Sequence, residues 1–337
     1  MRKILIYLFS FIFVCFVIPI IFTSKSIQQT NANTNTENDS NENKTEIIES
    51  TYDYKQYQTI KLFHVSENKT EYLALDEYLY GVVSAEMPAS FEEEALKAQA
   101  IVARTYTIYK IINSNNKHGE SDICDDSNCC QAWISKENRF AKWDEKNRNT
   151  YWNKIVNAVN STQGKIITYE GKPINAFFHA NSGGATEPPV NVWGGSGYPY
   201  LQTVTTSGED AYSQYDSNAN VTKKEFEEKI KKVHSDFKIN FEEKECIKIE
   251  EYTEGNRIKT IKVGNLKLSG VEMRNIFGLR SANFKITIDG ENVKFEVIGY
   301  GHGVGMSQTG ADSLAKQGKN YEEIIKHYYT GVKIENM

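Results

Sequence analysis

The sequence has no basic stripe interleaved with aromatic residues. Its 39 Lys+Arg are outnumbered by 44 Asp+Glu, for a net charge of -5, which argues against a nucleic-acid partner. It lacks a Gly-Lys-Ser/Thr phosphate loop, and no GxGxxG follows a good strand, so a phosphate cradle has no support. A G-x-S-x-G nucleophile elbow is also missing; the nearest stretch is His179-Ala180-Asn181-Ser182-Gly183-Gly184. The five cysteines do not spell out a disulfide framework, because Cys15 and Cys246 stand apart while Cys124, Cys129 and Cys130 cluster.

Long apolar runs are scarce too, and the one present is informative. Arg2 and Lys3 precede residues 4–22, a stretch without charge and about the length that crosses a bilayer. It exceeds the usual h-region of a cleaved signal peptide, and no clear A-x-A site follows. Residues 1–23 therefore read as a signal anchor with its positive end inside; a cleaved signal peptide is the alternative, and both export the rest. Residues 24–51 are dominated by Asn, Thr, Ser, Glu and Lys and form a disordered tether, with a flexible reach of roughly 25 to 30 Å.

The remainder, 39% hydrophobic and 25% charged over the whole chain, is enough to build a substantial core. Ile60, Leu62 and His64 alternate with polar neighbours, and Tyr72-Leu73-Ala74-Leu75 forms the second arm of a hairpin. A short helical piece over 76–83 leads to a loop carrying Glu86 beside Pro88. Ser90 with Glu93 reads as a capping box for an apolar, alanine-rich central helix reaching about Ile112. Residues 113–150 read as an insertion loop, followed by a short helix from Trp152 to Asn160. Two further arms, 166–169 and 174–179, read as a hairpin. Thr222 with Glu225 caps a helix placing Phe226, Ile230 and Val233 on one face. Strands fall around 257–263 and 283–297, with a helix capped by Ser269 and Glu272 between them and a turn at Asp289-Gly290. Ser307 caps a helix, and Asn320 with Glu323 caps the last one. The reading is α+β: a two-lobed domain with a mixed β-sheet and a central apolar helix. A catalytic lobe spans 52–205, an inserted second lobe 206–295, and the chain returns to the first over 296–337.

Three groups of residues can carry chemistry. Glu86 is a positioned acid, and cleavage of a glycosidic bond needs such an acid, usually with a second carboxylate. No partner stands near it in sequence, which leaves a distant one or the single-carboxylate route of lytic transglycosylases. As a structural alternative, Glu86 is simply a helix-leading acid favoured by the macrodipole. His118, Cys124 and Cys130, with Cys129 adjacent, could bind zinc or use Cys124 in a disulfide. His302 and Gln308, in the glycine-rich block Gly301–Gly310, can donate to sugar hydroxyls or an N-acetyl group. Arg104, 14 residues past Ser90, is roughly 21 Å away at helical rise and is left out of the site.

Taken together, Glu77–Phe91 running into Ala95–Tyr106, then Ala176–Gly184 with Asn191–Gly194, and Gly301–Ala311 through His327-Tyr328-Tyr329 resemble the stage II sporulation protein D family. The resemblance covers about residues 52–335 and includes the anchor. It implies a membrane-anchored lytic transglycosylase acting on peptidoglycan during engulfment in spore formers. Its domain would face the space between the mother-cell and forespore membranes, with Glu86 at the catalytic position and the glycan in a cleft between lobes. It implies partners as well: glycan strands lacking stem peptides, stage II sporulation protein P (an amidase and endopeptidase) and stage II sporulation protein M. Asp122-x-Cys124 and Cys130-Gln131 match a pattern in the family, which supports His118, Cys124 and Cys130 as a zinc set. Ser182, Tyr200 and Gln202 join His302 and Gln308 as substrate-binding candidates, with Gln202 standing where many relatives are expected to carry lysine. A non-catalytic glycan-binding scaffold and a zinc-dependent amidase are the alternatives.

Overall fold

Pro88 decides where the first helix ends. A residue before proline is pushed out of the helical region, and Met87 is extended, at φ -118° and ψ 142°. In the computed structural model, which describes residues 54–114 and 117–337, helix α1 accordingly spans Leu75–Glu86. Glu86 is thus the last residue of a twelve-residue helix, not part of a loop after a shorter one. The hairpin before it forms as read: β1 (Thr59–His64) pairs antiparallel with β2 (Lys69–Ala74), Thr59 opposite Ala74. Leu75 belongs to the helix. The anchor and tether lie outside the described residues, and among the described residues no helix is long and apolar enough to cross a membrane.

Helix α2 (Glu93–Ile112) is buried continuously from Ala98 to Ile108. The Ser90–Glu93 capping box does not form. The Phe91 N–H closes a turn onto the Pro88 carbonyl at 3.0 Å, which leaves Ser90 exposed and makes Glu92 the cap residue. The end is completed from far away, by Asp312 Oδ1 accepting the Glu92 N–H at 2.6 Å. Arg104, on this helix, is fully buried and is not among the residues lining the Glu86 cavity. Its guanidinium donates to the carbonyls of Val159 at 3.2 Å, Thr162 at 2.9 Å and Lys165 at 3.3 Å, which ties the end of the Glu145–Asn160 helix and the strand after it to α2. Arg104→Ala is expected to cost about 3–5 kcal/mol, since it strips a buried polar network of its donor. A urea midpoint within experimental error of wild type would show that water takes over these carbonyls.

Residues 113–150 are more ordered than an insertion loop. Strand β3 (Ile123–Cys124) joins β1 in parallel, and α3 (Lys136–Lys142) is capped by Ser135. Helix α4 runs Glu145–Asn160 and buries only Ile155, Ala158 and Val159, so its first two turns carry no apolar period to read. After it, β4 (Lys165–Tyr169) and β5 (Lys172–Pro173) form a hairpin at the expected turn, though its second arm precedes the expected 174–179. Their turn places Glu170 and Gly171 at φ 51° and 72°, as a type I′ turn requires. The arm does not extend to His179, however. The strand β6 (Phe178–His179) pairs in parallel with a distant strand, Met306–Ser307, and that pairing carries the glycine-rich block to the site.

The chain then makes the short helix α5 (Val190–Trp193) and builds a second apolar cluster between Phe226 and Val297. One sheet has the order β11-β12-β7 (Phe284–Asp289, Asn292–Ile298, Asp216–Thr222), and another β10-β9-β8 (Leu266–Leu268, Ile258–Val263, Ile247–Tyr252). Helices α6 (Lys223–Lys231) and α7 (Gly270–Phe277) pack against it, each with its capping box in place. Val233 lies past the end of α6 and is 60% exposed, so only Phe226 and Ile230 of the expected face are buried. The chain returns through β13 (Met306–Ser307), α8 (Gln308–Lys316), α9 (Tyr321–Tyr328) and β14 (Lys333–Asn336), which pairs with β4. The architecture is α+β, and among the described residues the strands divide into five small sheets in place of a single mixed one.

Candidate active site

Glu86 ends α1 with its carboxylate held at both oxygens. Oε1 accepts the Ala132 N–H at 2.7 Å and Oε2 lies 3.4 Å from the Gln308 side-chain amide. Gln308 in turn stands 3.5 Å from the Gln99 carbonyl oxygen on α2. Burial pushes the Glu86 carboxyl above the ordinary glutamate value, and the two donors only partly oppose it. The side chain faces a cavity of 810 Å³, in the range of ligand sites. Glu86 is the one carboxylate among the residues that line it.

One wall of that cavity is aromatic. Phe177 and Trp193 have ring centroids 4.7 Å apart, Trp193 and His302 5.1 Å, and His302 and His179 5.6 Å. Trp193 is 53% exposed and lines the cavity. Burial, seconded by the Arg257 charge, drives His179 down to about 3. Burial likewise lowers His302 well below the histidine range. Both imidazoles are neutral at ordinary pH and act as hydrogen-bonding groups, with His302 Nδ1 accepting the Val304 N–H at 3.0 Å. The β6–β13 pairing that assembles this wall depends on Gly305. It sits at φ 71°, and a Cβ there would meet the Phe177 carbonyl oxygen at 1.9 Å.

Cys129 and Cys130 also line the cavity and belong to a tetrad. The ligand atoms of His118, Cys124, Cys129 and Cys130 all lie within 4.8 Å of one another. His118 Nε2 is 3.4 Å from Cys129 Sγ and 3.5 Å from Cys130 Sγ, and the two sulfurs are 3.8 Å apart. A tetrahedral zinc has ligand edges of about 3.5 Å for nitrogen to sulfur and about 3.8 Å for sulfur to sulfur, from its bond lengths. The three distances among His118, Cys129 and Cys130 match those edges, and Cys129 brings a fourth potential ligand atom into the cluster. The four cysteines among the described residues are free thiols. Two residues beyond Cys130 comes Ala132, the donor to Glu86, so the tetrad sits at the base of the segment that holds the carboxylate.

Of the five substrate-binding candidates, His302 and Gln308 line the cavity. The other three are placed elsewhere. Ser182 is fully buried, its hydroxyl donated to Glu209. Tyr200 is buried between Tyr169 and Tyr198, and its hydroxyl accepts the Asn175 N–H at 3.0 Å. Gln202 is exposed and donates to the Pro199 carbonyl at 2.9 Å; it borders a different depression, of 570 Å³. Local sequence could not separate these cases, because strand and turn context does not tell inward from outward in an irregular segment. Sequence reasoning also passed over Ala132, Arg139, Trp143, Trp193 and Arg274. Of these only Trp193, adjacent to a glycine turn in a recognised segment, gave any signal.

Comparison with known proteins places the chain in a family. A family model described as "Stage II sporulation protein" matches residues 64–169. Stage II sporulation protein D of Bacillus amyloliquefaciens is 36% identical over 278 residues, covering 82% of this chain and 78% of that protein. The Bacillus subtilis protein of the same name is 35% identical with the same coverage. The amidase enhancer of Bacillus subtilis is 29% identical over 308 residues, 76% of this chain and 40% of that protein. With identity above one third over most of both chains, this protein belongs to the stage II sporulation protein D family.

Proposed function

We propose that this protein is a peptidoglycan lytic transglycosylase, and the observation that carries the reading is the solitude of Glu86. A hydrolase working through two carboxylates needs both near the scissile bond, and among the described residues no second one lines this cavity. A lytic transglycosylase needs one. Glu86, whose burial favours the protonated form, gives its proton to the oxygen joining N-acetylmuramic acid to N-acetylglucosamine as that bond breaks. The resulting carboxylate, steadied by the Ala132 N–H and the Gln308 amide, takes the proton of the muramic C6 hydroxyl. The C6 oxygen bonds to C1, which closes the 1,6-anhydro ring without consuming water. A pKa raised towards working pH serves both halves of that cycle, and the Trp193 face suits the apolar side of a sugar ring.

The substrate in this reading is a glycan strand freed of stem peptides. Family membership and the apolar run 4–22 support a membrane-anchored enzyme of engulfment, its domain outside the cytoplasm. Stage II sporulation protein P would supply the stem-free strands, and stage II sporulation protein M would share the membrane. The test is mass spectrometry of amidase-treated peptidoglycan incubated with the soluble portion. Anhydro-muramyl ends support the reading; ordinary reducing ends mean hydrolysis, and unchanged strands mean a glycan-binding scaffold.

The tetrad is proposed as a structural zinc site. Its four protein ligands leave no open position for a metal-activated water, which weighs against a zinc amidase. Zinc bound there would clamp His118 to the segment that runs through Ala132 to Glu86. Chelation is expected to lower the melting temperature by roughly 5 °C or more, about 2 kcal/mol for a domain of this size. Added zinc should restore it. A melting curve indifferent to chelator, in protein shown to contain metal beforehand, would remove the structural role.

A further inference from the structure

The cavity is positive in an acidic protein. Against its single carboxylate stand two guanidiniums, Arg139 from α3 and Arg274 from α7. The two fully or nearly buried arginines elsewhere have acidic neighbours: Arg104 lies 3.8 Å from Asp76, and Arg257 3.7 Å from Glu187. Arg139 and Arg274 have none within ion-pair distance among the described residues. Both are half-buried. Arg139 rests on the Trp143 ring, its Cζ 4.9 Å from the centroid, and its buried Nε has no hydrogen-bond partner. Arg274 is tethered by one bond, from Nε to the Leu279 carbonyl at 3.2 Å. A desolvated guanidinium lacking a carboxylate is costly to keep. Its planar fork is matched by a carboxylate accepting two parallel N–H bonds.

We infer that Arg139 and Arg274 form a carboxylate-reading pair that recognises the free lactyl carboxylates of muramic acid residues on the bound strand. This rests on the transglycosylase reading for the identity of the polymer, while the requirement for an anion comes from the cavity itself. Two other anions can be set aside on chemical grounds. A phosphate on muramic C6 would block the hydroxyl that closes the anhydro ring. Stem-peptide carboxylates are separated from the sugar by several bonds, and the first group of a stem is an amide, which is neutral and cannot take two guanidinium N–H bonds as a carboxylate does. A lactyl carboxylate is attached directly to the ring, within reach of cavity-wall side chains when the strand lies against Glu86. Trp143 under Arg139 fixes the fork in advance, which lowers the ordering cost of binding.

The experiment measures binding in a Glu86→Gln background, so that no product forms. Titration calorimetry would compare four soluble oligosaccharides of equal length: muramic-containing strands with free lactyl carboxyls, the same strands capped as methylamides, strands bearing intact stems, and N-acetylglucosamine-only chains. With both arginines present, the free acid should bind about 10- to 100-fold more tightly than the methylamide, as charge-assisted hydrogen bonds imply. The preference should shrink as salt rises. Arg139→Gln and Arg274→Gln should each weaken acid binding by about tenfold, with less than about a twofold change for the methylamide and the glucosamine chain. Those two ligands report that the cavity is still folded. Equal affinity for acid and methylamide would overturn the proposal, as would a preference surviving in the double variant. Strands with intact stems binding as tightly as the free acid would assign the arginines to the peptide and overturn it too. Loss of anhydro products in the protein with Glu86 intact would sink the transglycosylase reading instead, and would leave the carboxylate preference standing.

Discussion

Replacing Glu86 with glutamine is expected to slow anhydro-end formation by roughly 10²–10⁴-fold, the usual contribution of a positioned acid and base. The fold should survive. Glutamine fills the same volume and can still accept the Ala132 N–H at its carbonyl oxygen. Stability should even rise at neutral pH, and the sign follows from the raised carboxyl. A folded state that binds this proton more tightly than the unfolded chain loses stability as pH climbs from the unfolded value, about 4.3, through the folded one. The amide carries no such penalty. On the proposed transglycosylase reading, the same shift gives a pH dependence: turnover should fall as pH rises through the Glu86 value, because the proposed first step needs the protonated acid. Rates by mass spectrometry and melting curves at pH 7 check both halves. A variant that retains activity within tenfold would take Glu86 out of the chemistry, and one that melts well below wild type would make it a structural residue.

Removing Glu209 should damage stability as severely as removing Arg104. Its carboxylate is buried and accepts from the Ser182 N–H at 3.0 Å, the Gly184 N–H at 3.1 Å and the Thr309 hydroxyl at 3.2 Å. The hydroxyls of Ser182, Thr206 and Ser307 donate to it as well. Burial pushes this carboxyl up, but bonds from Ser182, Ser307 and Thr206 outweigh it and hold the group below the ordinary glutamate value. Glu209→Ala leaves that ring of donors without an acceptor and is expected to cost about 3–5 kcal/mol. The sign here is opposite to that of Glu86. A depressed folded value gives stability that is complete above the unfolded value, about 4.3, and lost as pH falls through the folded one. Urea midpoints at pH 7 and through the acid range should show wild type losing more of its stability than Glu209→Gln does. Parallel pH curves for the two proteins would mean that another carboxylate governs acid unfolding.

These two carboxylates show how far the sequence could be read. Glu86 stood out because Pro88 sits two residues on and an apolar helix follows, both local features. Glu209 did not, since nothing around Gly208-Glu209-Asp210 announces burial; its donors come from segments up to a hundred residues away. The capping boxes of Thr222, Ser269 and Asn320 were legible for the same reason as Glu86, each being an i to i+3 exchange within one helical turn. The cap of α2 was not, because Asp312 reaches it across 220 residues. Of the tetrad, His118, Cys124 and Cys130 could be named from the sequence and its family resemblance, whereas the closeness of Cys129 to them needed sulfur positions.

Periodicity, proline and capping are short-range physics, and through them the sequence by itself determined the main helices, the hairpins, an α+β class and one unusual glutamate. Tertiary packing alone decided the rest. The parallel pairing of β6 with β13 brings the His302 and Gln308 segment to Glu86. Burial raises one carboxyl while a ring of donors lowers the other. The cavity acquires two arginines and a single acid because side chains from α1, α3 and α7 converge on it, and no local pattern encodes convergence.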